Sequence, residues 1–215
     1  MKEKNTKSLK FSHILIIAIP IILFCILIGV IQLGVSLKFE NWTYYAITKN
    51  MSDPLTNVVK VITDIGAAIP VIIICLILIA IPKTRFKYGA PASFSVIVAT
   101  GLNLVLKRIF CRQRPSILRL VEETNFSFPS GHAMVNSALY FTLILLVIKF
   151  VKNKKLKISL SIFLGTLITL IGISRVYLGV HYTFDILGGW LIGFVIAFSS
   201  YLIFTNYKKN KIKSE

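Results

Sequence analysis

Six apolar runs, each close to the length needed to cross a bilayer, dominate this sequence and leave few folds open to it. A helix needs roughly 20 mainly apolar residues to span the hydrocarbon layer. Residues 13–37, 61–81, 89–106, 131–151, 158–176 and 185–206 meet that requirement. Composition agrees: 55% of the 215 residues are hydrophobic and 15% charged, with a mean hydropathy of +0.78. Soluble domains carry about 25% charged residues, and a soluble chain of this length could not bury so much apolar surface. The expected fold class is an all-α integral membrane protein, with six transmembrane helices in one bundle. The first run follows a Lys-rich stretch, but it is too long for a signal-peptide core and has no small-residue cleavage site after it. It is read as a retained span.

Charge sets the expected orientation. The chain has 25 Lys and Arg against 8 Asp and Glu, a formal charge of +17. Sixteen of those cations fall in the N-terminal tail, the 82–88 loop, the 149–157 connection and the C-terminal tail. The positive-inside rule makes that side cytoplasmic. Both termini are then inside, and the connections after spans 1, 3 and 5 face outward. Clustering between apolar runs argues for membrane orientation, so no nucleic-acid partner is proposed. The expected organisation is a basic tail (1–12), a membrane domain (13–206) and a second basic tail (207–215). Within the domain, the aromatic 38–60 segment is expected to lie in the membrane interface, and 107–130 to form an outer loop over the site. Cys25, Cys75 and Cys111 make no paired framework; Cys25 and Cys75 sit in apolar runs and resemble small buried hydrophobes.

Three outer-side clusters are not explained by the bilayer. The first runs from Lys107 to Arg114-Pro115, at the exit of span 3. Two helical turns separate Lys107 from Arg114, so a helix continuing to Pro115 would set them on one face about 10 Å apart. They suit an anion, or they snorkel to lipid phosphates. The second is Pro129-Ser130-Gly131-His132, at the entry to span 4. It reads as an ordinary helix start with Ser130 as cap. It also reads as a phosphate site, where a helix N-terminus presents free N–H groups, Gly131 permits close approach and His132 can deliver a proton. The third is Ser174-Arg175 followed by His181 and Asp185. On a helix the spacing of the last two stacks them, so that the carboxylate can fix the imidazole tautomer and leave Nε2 as base or nucleophile. The alternative is a helix-capping Asp185 beside an interfacial His181. Arg175 adds a planar donor fork.

Counting spans brings all three clusters to one face. Two histidines, a carboxylate, several cations and a helix N-terminus together suit phosphoryl transfer. The sequence holds no carboxylate cluster suited to Mg²⁺, so neither metal nor cofactor is expected. A transporter or flippase would place its charges near the midplane on broken helices; it is the alternative from another class, as is a lipid sensor. Arg108, Arg112 and Arg119 favour either a diphosphate substrate or the membrane surface.

The motifs Lys-x6-Arg-Pro, Pro-Ser-Gly-His and Ser-Arg-x5-His-x3-Asp are complete, in order, between Lys107 and Asp185. In them the chain resembles the type 2 phosphatidic acid phosphatase superfamily, most closely its bacterial members of the phosphatidylglycerophosphate phosphatase B kind. The resemblance implies a metal-free membrane lipid phosphatase. His181 would be the nucleophile, Asp185 its orienting partner and His132 the general acid. Lys107, Arg114 and Arg175 would hold the phosphoryl oxygens, with Ser130 and the Gly131 N–H. The implied substrate is a lipid phosphate or diphosphate: phosphatidylglycerol phosphate, undecaprenyl diphosphate or phosphatidic acid. Short loops and many Lys, Ile and Asn residues point to a bacterial plasma membrane, with the site facing outward.

Overall fold

The computed structural model of the chain describes residues 11–116 and 118–211, with side chains as far as Thr205. The expected tail 1–12 falls almost wholly outside the described residues, as do the side chains of 207–215. In chain order the elements are α1 (Phe11–Gln32), α2 (Leu37–Thr48), α3 (Asp53–Ile65), α4 (Ala68–Ala80), the single turn α5 (Pro82–Thr84), a π-turn (Arg85–Gly89), α6 (Ala90–Phe110), α7 (Gly131–Phe150), α8 (Lys154–Tyr177) and α9 (Thr183–Lys211). Among the described residues there is no strand. Five helices are long and apolar enough to cross a membrane, and α3 with α4, bent by 45°, makes a sixth span if counted as one. The chain is a multi-pass membrane protein.

The bend has a local cause. In a continuous helix the carbonyl of Gly66 would accept from residue 70, and residue 70 is a proline with no N–H to give. Asn136 of α7 supplies the missing donor, its Nδ2 lying 2.8 Å from Gly66 O. A side chain at Gly66 would meet Ile171 and Asn136 at 2.6 and 3.0 Å, so the broken span sits tight against α7 and α8. The 82–88 segment, expected to be a loop, is instead helical and runs on into α6 through the π-turn.

Apolar and polar groups are distributed inside-out. Ile14, Ile22, Trp42, Ile69, Ile97 and Ile162 are among many exposed large side chains, as lipid contact requires, whereas Ser95, Asn136, Thr142, Ser200 and the site residues are buried. Within hydrocarbon such groups must satisfy one another. Ser95 Oγ and Thr142 Oγ1 lie 2.8 Å apart, and Ser200 donates to Pro91 O at 2.9 Å. Helix α7 is central. It packs against α9 through small residues, the geometry that lets helices associate where no hydrophobic drive separates them from lipid. Phe24 of α1 stacks on Phe128 at 5.5 Å and anchors that otherwise lipid-facing helix beside the site. Cys75 is buried as expected, whereas Cys25 is exposed on α1.

The α7–α9 contact is the most demanding in the bundle. A Cβ on Gly193 would fall 1.8 Å from Ser137 Oγ and 2.6 Å from Met134 O, a backbone atom that cannot move aside. Gly165 has nothing within 4 Å. Gly193→Ala should therefore destabilise by on the order of 1–3 kcal/mol, the cost of overpacking. Gly165→Ala should be neutral or slightly stabilising. Thermal unfolding of both variants in detergent tests this, and equal melting temperatures would contradict it.

Candidate active site

The site is built where the C-terminal ends of α6 and α8 meet the N-terminal ends of α7 and α9. Lys107 occupies the last turn of α6 and is buried. That helix stops at Phe110, because Cys111 turns left-handed (φ 45°) and donates its N–H to Lys107 O. The expected helical path to Pro115 is therefore not taken. Lys107 and Arg114 come together through a fold-back of the following segment. Lys107 Nζ donates to Phe126 O, Arg114 Nε donates to Asn125 O at 2.6 Å, and Ser127 N donates to Arg112 O at 2.8 Å.

At the start of α7, Ser130 is the N-cap, and its Oγ accepts from Ala133 N at 3.4 Å. A Cβ on Gly131 would stand 3.1 Å from Asn103 Oδ1, so the helix terminus and α6 are in close approach. Asn103 Nδ2 donates to Pro129 O at 3.0 Å and ties the motif to α6.

His181 does not lie on a helix with Asp185; it sits in the turn before α9. Gly179 makes the turn possible. Its φ of +72° is left-handed, and a Cβ there would come 2.1 Å from Leu118 O. The two side chains meet nonetheless, His181 Nδ1 being 3.3 Å from Asp185 Oδ2. On the other side of the ring, Arg114 Nη1 lies 3.1 Å from Nε2. A guanidinium can only donate. Nε2 is therefore the acceptor, and the proton rests on Nδ1, facing the carboxylate. Asp185 is also held by Tyr182 N at 2.8 Å, by Ser127 Oγ, and by Arg112 Nη1 at 2.6 Å.

Arg175 is 2% exposed. Its Nη1 donates to Thr63 Oγ1 of α3 at 2.9 Å and its Nη2 to Glu123, while its Nε has no partner among the described residues. Glu123 also reaches Arg114 Nη2 at 3.3 Å. Its carboxylate thus bridges two of the three expected phosphate-binding cations, presenting planar oxygens to two guanidinium forks. Ser174 turns its hydroxyl back onto Ile171 O at 2.7 Å.

Lys107, Arg114, Gly131, His132 and His181 line a cavity of about 330 Å³. Asp185, Ser130 and Arg175 stand behind that surface. Away from the charged end, the walls are Ala68, Val71 and Ile72 of α4, Val96 and Leu104 of α6 and Val135 of α7. Among the described residues, no group of three or more His, Cys, Asp or Glu side chains is arranged to hold a metal ion.

The expected role of Arg112 also changes. Arg112 is neither open to a second phosphate nor at the membrane surface; its side chain is 11% exposed, engaged by Asp185 and, at 2.7 Å, by Glu40. Sequence reasoning did not find Glu40, Thr63, Glu123 or Ser127. No motif links them to the signatures, and α2 and α3 meet the site only through tertiary packing. Glu40, between Phe39 and Trp42 in the 38–60 stretch, carried no signal in the sequence that it would be buried.

The matching family model is that of the PAP2 superfamily, over residues 88–209. The chain belongs to the PAP2 superfamily. Two curated relatives are similar to it. Phosphatidylglycerophosphatase B of Bacillus subtilis is 43% identical over 101 residues, 45% of this chain and 48% of that protein. The undecaprenyl-diphosphatase of Sulfolobus acidocaldarius is 33% identical over 130 residues, 58% of each chain. The chain thus spans about half the length of the curated relatives it matches. Among solved structures, the PAP2-type phosphatidylglycerolphosphate phosphatase of Bacillus subtilis superposes with a TM-score of 0.76 at 29% identity, over 90% of this chain and 96% of that one. LpxE of Aquifex aeolicus shares the fold, with a TM-score of 0.58 at 24% identity over 73% of this chain and 91% of its own. In this PAP2 chain all three signature clusters converge on one cavity end.

Burial holds the His181 imidazole down to about 4 against the upward pull of Asp185, from an ordinary value of 6.5. The folded chain keeps this ring neutral until the pH nears 4, whereas the unfolded chain takes up a proton near 6.5. Folding stability from this group is therefore present above 6.5 and lost as pH falls toward 4. An NMR titration of the His181 ring in detergent should show its transition near pH 4; a transition near 6.5 would contradict the burial account.

Proposed function

We propose that this protein is a metal-independent membrane lipid phosphatase that works through a phosphohistidine intermediate. The observation that carries the reading is the cavity's two-ended character. Cations and histidines crowd one end, and an apolar trough between α4 and α6 leads away from it. A phosphate carried on a hydrocarbon tail fits that division. A soluble phosphate ester would have no use for the trough. The activities for which the two curated relatives are named point the same way.

The chemistry follows from the donors. The lone pair of His181 Nε2 attacks phosphorus while Asp185 holds the Nδ1 proton and balances the charge that develops on the ring. The P–O bond to the lipid breaks, and His132, at the open end of α7, gives the leaving oxygen its proton. Water then attacks the phosphohistidine, passing a proton back to His132, and inorganic phosphate departs. Lys107, Arg114 and Arg175, with Ser130 and the Gly131 N–H, steady the phosphoryl oxygens throughout. For Arg114 and Arg175 this requires the phosphate to take the place of the Glu123 carboxylate.

We favour phosphatidylglycerol phosphate or undecaprenyl diphosphate as substrate, with phosphatidic acid a further candidate, in a bacterial plasma membrane with the site facing outward. A site at helix ends, closed by an outer loop, speaks against a transporter or flippase, which would need access from both sides.

Phosphate release in EDTA from those three lipids tests the reading. Wild type should turn over at least one of them, and His181→Ala none. His132→Ala should lose about 10²–10⁴-fold, as expected for a general acid. Asp185→Asn should lower kcat far more than it changes KM, because it leaves the wrong tautomer. Release abolished by EDTA, or retained in His181→Ala, would overturn the mechanism.

A further inference from the structure

Glu40 lies on α2, in the interfacial segment, and its side chain is fully enclosed. A carboxylate is costly to bury unless it is paired. Here both oxygens are engaged by one cation: Oε2 accepts from Arg112 Nη2 at 2.7 Å, and Oε1 from Arg112 Nη1 at 3.1 Å. Oε1 also lies 3.3 Å from Phe184 N, the residue immediately before Asp185. The same Arg112 Nη1 reaches Asp185 Oδ1 at 2.6 Å, and its guanidinium lies 4.1 Å from the centre of the Tyr182 ring. One guanidinium thus joins two buried carboxylates, and the second carboxylate is the one that faces His181.

We propose that Glu40 and Arg112 are positioning residues of the reaction, a buried Glu40–Arg112–Asp185 chain that sets both the direction and the net negative charge Asp185 presents to His181. Arg112 fixes Asp185 Oδ1 and so aims Oδ2 at the Nδ1 proton. An arginine paired with Asp185 by itself would also neutralise that carboxylate and weaken its hold on an imidazole turning cationic. Glu40 supplies the compensating charge, so the trio stays anionic toward the ring. Its contact with Phe184 N fixes the first turn of α9 from which Asp185 projects. Simple anchoring of α2 would need no charge, since apolar packing holds helices at less desolvation cost. This inference rests on the reading of His181 as the nucleophile.

Steady-state kinetics on a lipid phosphate test it, with wild type and His181→Ala run alongside. Glu40→Gln should lower kcat by about 10- to 100-fold, the usual loss on removing an orienting partner, with KM within about twofold. Glu40→Asp, which keeps the charge, should recover much of that loss. The double variant Glu40→Gln/Arg112→Gln should lose no more than the worse single variant, because each residue acts through the other. A wild-type kcat in Glu40→Gln, equal rates in the Gln and Asp variants, or single losses that multiply in the double would overturn the inference. If Glu40→Gln does not fold, Arg112→Lys keeps the charge without the fork and gives the same kcat test. An active wild type that dies in His181→Ala, with Glu40→Gln unimpaired, refutes the inference and spares the phosphatase reading. An inert wild type overturns both.

Discussion

Four cations enclosed at one end of an apolar bundle are the constraint on which the rest of this structure turns. Lys107, Arg112, Arg114 and Arg175 are all largely withdrawn from solvent. Each would be prohibitively unstable there without partners. Glu40 and Asp185 are wholly enclosed and matched to Arg112, while Glu123, partly exposed, bridges Arg114 and Arg175. With Glu123 in place the cluster keeps one positive charge in excess. With a phosphate dianion in its stead the charges balance. On this account the site is organised to accept a doubly charged anion, and Glu123 is the group that yields to it.

The helices serve that cluster. The Gly66–Pro70 interruption bends the second span, and Asn136 binds the freed carbonyl, which brings α3 with Thr63 against Arg175 and lines one wall of the cavity with α4. The glycines of α9 let it lie close enough to α7 for Asp185 O to accept from Ser130 N at 3.1 Å. The start of α9 and the start of α7 are thereby locked together, so His132 and His181 line one cavity although they come from different segments.

Much of this was legible in the residues. The apolar runs located the helices, because a bilayer leaves the backbone few alternatives. The three motifs named eight residues that the fold gathers at or just behind one cavity end. Local geometry was less legible. A left-handed Cys111 ends α6 four residues before Pro115, and no propensity rule anticipates that at a cysteine. The spacing of His181 and Asp185 left open whether a helix stacks them; His181 precedes α9, since Gly179 makes a turn there. The partners of the cations escaped notice for a different reason. Glu40 meets Arg112 across 72 positions of sequence, and Thr63 meets Arg175 across 112, so each pairing exists only once the helices have packed.

If the site works as proposed, the phosphoryl group passes through a nitrogen of His181, and one experiment reaches that step directly. Wild-type protein would be mixed with ³²P-labelled lipid phosphate, quenched in alkali within milliseconds, and mapped by mass spectrometry. Alkali-stable, acid-labile label on the peptide carrying His181, accumulating further when His132 is replaced and a good leaving group is used, is the expected result. Phosphate release with no protein-bound label at any time, or label on a residue other than His181, would contradict it.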